Sequence, residues 1–63
     1  MKTCKLYELE KGQFFKIYDV ENNFVIPYIY ELIKIDGMYS TCLDEIGNIV
    51  HIKAYTSVVL LGE

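Results

Sequence analysis

The stretch FVIPYIYELIKIDG, residues 24–37, decides the fold, because it reads either as a helix or as a strand. As a helix it has Pro27 in the first turn, Ile29, Leu32 and Ile33 at helical spacing, and Gly37 as the terminating residue. As a strand it has isoleucines at 29, 33 and 35 and tyrosines at 28 and 30, types that suit a pleated surface, with Asp36-Gly37 as the following turn. Composition arbitrates a short apolar run and favours the strand, with a helix over residues 27–36 as the alternative. The strand reading carries one misfit. Glu31 and Lys34 cannot both face water at a period of two, so a bulge or sharp bend is expected near Leu32. Small closed barrels need such bends.

Upstream, Leu6 and Leu9 precede a polar turn at Glu10-Lys11-Gly12, and a β-rich run follows over residues 13–20, where Phe15 and Ile17 alternate with Lys16 and Tyr18. Val20-Glu21-Asn22-Asn23 ends that run with turn formers, asparagine being tolerant of the left-handed conformation. Downstream, MYSTCLDEIGNIVHI, residues 38–52, reads as a hairpin around Asp44-Glu45-Ile46-Gly47-Asn48: a three-residue loop, type I turn, with Gly47 in the left-handed position. Register follows. Leu43 opposes Ile49, Cys42 opposes Val50, Thr41 opposes His51, Ser40 opposes Ile52 and Tyr39 opposes Lys53.

One hairpin face is then Met38, Ser40, Cys42, Val50 and Ile52, free of charge and suited to a core. The other is Tyr39, Thr41, Leu43, Ile49, His51 and Lys53, with Ile46 beyond it at the tip. A contiguous apolar group on a wet face is what an interaction patch looks like, the competing reading being ordinary packing beneath residues 3–9. The chain closes with a turn at Ala54-Tyr55-Thr56 and a strand over residues 57–61 that is apolar on both sides.

A chain of 63 residues holds one domain, residues 1–63, and at this size buries only roughly 60% of the surface its unfolded form exposes. Self-association is the expected remedy, since no disulfide framework or metal motif is visible. Cys4 and Cys42 are expected to be reduced thiols. Nine acids against six lysines, with no arginine, give a net charge of −3, which opposes nucleic acid and anionic membranes and suits a basic partner. No apolar run is long enough to span a bilayer and no signal-peptide core is present, so the expected location is the cytoplasm.

The strand count, the helical turn before the last strand and the length together resemble the five-stranded SH3-like small β-barrel. More narrowly, residues 33–61 resemble a group of short bacteriophage proteins in which a D-G-M-Y turn leads to C-x-D-x-x-G-N, then V-H-I, then T-x-V. The matching residues are Asp36, Gly37, Met38, Tyr39, Cys42, Asp44, Gly47, Asn48, Val50, His51, Ile52, Thr56 and Val58. Ile46 departs from the pattern, where a polar residue usually precedes the glycine. The resemblance implies an all-β fold and a setting in the cytoplasm of an infected host cell.

Enzyme chemistry would have to rest on His51, the single histidine, and Thr41 beside it on an open sheet face makes no catalytic constellation. A metal site from Cys4, Cys42 and His51 fails because the register sends Cys42 and His51 to opposite faces. No cofactor is expected. The expected function is therefore non-enzymatic: binding and inhibiting or redirecting a host protein, a basic one being easiest to steer. The patch is Tyr39, Leu43, Ile46, Ile49 and His51, rimmed by Asp44, Glu45 and Lys53. The alternatives are a homo-oligomer that sequesters a small signalling nucleotide between subunits, and a nucleic-acid-binding barrel that stacks bases on its tyrosines.

Overall fold

In the computed structural model, which describes residues 2–62, Phe24–Asp36 form a strand, Gly37 begins the turn after it, and the helical alternative is excluded. Six antiparallel strands make one sheet: β1 Cys4–Lys5, β2 Phe14–Asp19, β3 Phe24–Asp36, β4 Tyr39–Leu43, β5 Ile49–Lys53 and β6 Ser57–Leu60, in the order β1-β6-β2-β3-β4-β5. A 3-10 turn, Leu6–Glu8, is the one helical element among the described residues. The sequence led to five strands and a closed barrel; the described residues form six, and their sheet is open, with β1 and β5 at its edges. The extra strand is two residues long, too short for any alternation to reveal it.

β3 is the long element, 13 residues, and it pairs with β2 along one side and β4 along the other. Pairing on both sides supplies what propensity alone left open. Its register against β4 slips between Leu32 and Lys34, so Ile33 is the extra residue and the bulge falls where the Glu31 to Lys34 spacing required one. Against β2 the register slips again, between Lys16↔Ile29 and Tyr18↔Val25, and Pro27 lies inside that slip. The ladder is already interrupted there, so a residue without an N–H is tolerated.

The core lies on one face of the sheet. Leu6, Leu9, Phe15, Leu32, Cys42 and Val58 are buried together, with Ile17, Tyr30, Val50, Ile52 and Leu60 packed against them. Phe15 and Tyr30 are direct cross-strand partners, and their rings stack with centroids 5.7 Å apart. Ser40 is the one buried polar side chain among the described residues, and its hydroxyl donates to the carbonyl of Ile52 at 2.7 Å. The N-terminal segment completes this core from the open side of the sheet. The Leu6 and Tyr7 amides donate to the Thr56 and Ala54 carbonyls, both at 2.9 Å, which tethers the 3-10 turn to the loop between β5 and β6.

The expected turns are present, except that the one before the last strand is a plain turn and not a helical one. Asn23 has a φ of 52°, within the segment 20–23, and Thr56 N donates to Lys53 O at 3.1 Å, closing the turn before β6. Met38 does not join the core face as the hairpin alternation suggested. It sits in the turn before β4, outside the ladder, and is 64% exposed.

Candidate functional site

The hairpin of β4 and β5 has the register read from its loop, residue for residue from Tyr39↔Lys53 to Leu43↔Ile49. The Asp44 amide donates to the Asn48 carbonyl at 2.9 Å and the Gly47 amide to the Asp44 carbonyl at 3.1 Å, closing the three-residue loop. Gly47 has a φ of +89°, the backbone state that excludes most side chains. The Asp44 carboxylate is committed to this loop, accepting from the amides of Ile46 and Asn48 at 3.1 and 2.8 Å. It organises the turn and leaves Glu45 as the exposed acid at the tip.

Direct partners across the sheet share a face, which assembles the outer surface row by row. Phe14, Glu31, Leu43 and Ile49 form one row across four strands. Lys34, Thr41 and His51 form the next across three, and Asp36, Tyr39 and Lys53 the one beyond. The bulge at Ile33 is what places Glu31 and Lys34 together on this face. Ile49 is 63% exposed, Tyr39 53% and Phe14 49%, while Leu43 is half-buried between them. The N-terminal segment does not cover this face, since Leu6 and Leu9 are spent in the core on the other side.

Among the described residues Ile46 is the most exposed large apolar one, at 82%. It lines a shallow groove with Tyr28, Tyr30, Asp44 and Glu45, next to a second groove formed by Phe14, Ile29, Glu31 and Leu43. The expected patch is thus divided. Leu43 and Ile49 belong to the outer row, and Ile46 turns toward the tyrosines of β3. The sequence reading missed Phe14 and Ile29, although a signal for Phe14 was present: once Phe15 faces inward on β2, its neighbour must face out.

His51 is exposed, and its Nδ1 lies 3.2 Å from the Ser40 carbonyl. A carbonyl only accepts, so Nδ1 is the donor in this contact. Thr41 stands opposite His51 in the ladder, but the imidazole is held by backbone. No group of three or more His, Cys, Asp or Glu able to hold a metal is found among the described residues. Burial pushes the Cys42 thiol above the ordinary thiol range, partly offset by its contact with the Ser40 hydroxyl. Cys4 is raised as well, chiefly by burial and then by Glu8, with Lys2 opposing.

No protein-family model matches the chain, nor does any curated protein or solved structure. Among the described residues no helix is long and apolar enough to cross a membrane.

Proposed function

We propose that this protein is a non-enzymatic binding module that captures a protein partner on the outer face of its β4–β5 hairpin, and that its sheet is a variant of the SH3-like small barrel. The observation that carries the binding reading is the row in which exposed Phe14 and Ile49 stand with half-buried Leu43, with Tyr39 on the same face and Ile46 at the adjoining tip. Apolar anchors ringed by polar groups are how protein surfaces obtain affinity. Glu31 stands within the row, between Phe14 and Leu43, while Asp44 and Glu45 flank it, and the chain carries a net charge of −3, so the partner presents basic groups beside its apolar anchors. His51 and Lys53 border the face at its other end.

The barrel reading is supported by the way β6 returns to pair with β2, and by the amides of Leu6 and Tyr7 bonded across to the loop after β5. The resemblance of residues 33–61 to short bacteriophage proteins supports a partner in an infected host cell, where binding would inhibit or redirect it. Ile46→Asp and Ile49→Asp test the reading separately, because the two side chains lie in different parts of the patch. Both variants should keep the unfolding transition of the parent, and Ile49→Asp should abolish capture of the partner from host lysate. Capture unchanged by Ile49→Asp would reject the outer row; loss with Ile46→Asp alone would move the contact to the tyrosine groove.

A further inference from the structure

The two edges of the sheet are built differently. β1 is two residues long and is cut off at once by the 3-10 turn, whose Leu6 and Tyr7 amides are already bonded to Thr56 and Ala54. β5 is five residues, Ile49–Lys53, with no proline, glycine or bulge. Its pairing with β4 fixes which backbone groups are spent. Because Asp44 N bonds Asn48 O and Ala54 N bonds Met38 O, the even-numbered positions Val50 and Ile52 turn their amides and carbonyls toward β4. The amides of Ile49, His51 and Lys53 therefore point to the open edge. Unpaired edges of this β-branched kind are templates for another strand, and proteins usually blunt them.

We propose that β5 pairs antiparallel with the β5 of a second copy of this chain, about a two-fold axis at His51. This does not rest on the capture function proposed above. A two-fold through His51 sets Ile49 opposite Lys53 of the second copy, and Lys53 opposite its Ile49, so every outward amide finds a strand. The same register is electrostatically self-complementary. Ile49 adjoins the loop that carries Glu45, so the register brings Lys53 of each copy to the loop end of the other's hairpin, and both Lys53 and Glu45 are exposed. Pairing spends backbone groups and leaves the outer faces accessible, which joins the two hairpin faces into one surface. A five-residue edge buries less than the ~800 Å² per partner of a standard interface, so the dimer is a reversible, concentration-dependent one.

Sedimentation equilibrium and amide exchange by NMR on the full chain, from micromolar to millimolar, test this directly. A monomer–dimer equilibrium is expected in which the Ile49, His51 and Lys53 amides gain protection with concentration while Val50 and Ile52 stay protected throughout. Lys53→Glu should weaken the dimer roughly tenfold through its two symmetric contacts, and Glu45→Lys in the same chain should restore it. Both positions are exposed, so neither change threatens the fold. A monomer at every concentration overturns the proposal, as does a dimer that leaves those three amides exchanging freely or ignores Lys53→Glu. Protection that appears only when another protein is added assigns the edge to that protein and also overturns it.

Discussion

At Cys42 the side chain is fully buried beside Ser40, and its thiol is held neutral by burial. In the unfolded chain the same thiol ionises from about pH 8.5. Folding therefore retains a proton that the unfolded state releases, and the sign is fixed: stability is intact below that pH and falls as pH rises through the native value. Cys4 acts in the same direction and, being only half-buried, is the more accessible thiol. The expected outcome is that Cys42→Ala costs about 1 kcal/mol near neutral pH, for one lost buried atom, yet loses less stability than the parent on moving to alkaline pH. Urea midpoints of the two proteins across that range check it. A constant gap between them would show that Cys42 does not contribute to the alkaline loss.

At the scale of elements, β3 is where sequence and structure meet most closely. Ile33 is the inserted residue against β4, and without it Lys34 to Asp36 would present the wrong faces to Thr41, Ser40 and Tyr39. Deleting Ile33 should abolish cooperative unfolding, whereas Pro27→Ala, inside the other register slip, should change stability by no more than about 0.5 kcal/mol. Circular dichroism with urea titration separates the two; a folded Ile33 deletion would mean the register is set elsewhere. The bulge was legible because Glu31 and Lys34 cannot share a face without it, and the hairpin register because Gly47 fixes the loop. Those are local constraints, visible in a few residues. β1 and the openness of the sheet were not legible, since both depend on where Cys4 meets Val58, more than fifty residues away in the chain. The same reason hid Phe14 from the contact face: its neighbours there, Leu43 and Ile49, come from two other strands. Ile46 was legible as exposed, but which side it joins depends on how far β3 runs past the hairpin tip.

For the whole molecule, the open sheet raises the question of what closes its core, and residues 4–9 supply the answer. Leu6 is fully buried and Leu9 nearly so, both within the cluster around Phe15 and Val58, while Tyr7 between them is 56% exposed. The segment acts as a lid on the core, held by the Leu6 and Tyr7 amides to the β5–β6 loop. A domain of this size draws at most about 3–5 kcal/mol from its core, and truncating a buried leucine to alanine costs about 2–5 kcal/mol. Leu6→Ala should therefore leave a substantial unfolded population at room temperature, while Tyr7→Ala, losing an exposed ring, should stay within about 0.5 kcal/mol of the parent. Thermal unfolding followed by both tyrosine fluorescence and far-ultraviolet circular dichroism discriminates the alternatives. Coincident loss of both signals in Leu6→Ala makes the N-terminal segment part of one cooperative unit with β2 to β6. Fluorescence changing while the β signal persists would make it a detachable cover over a sheet that folds alone.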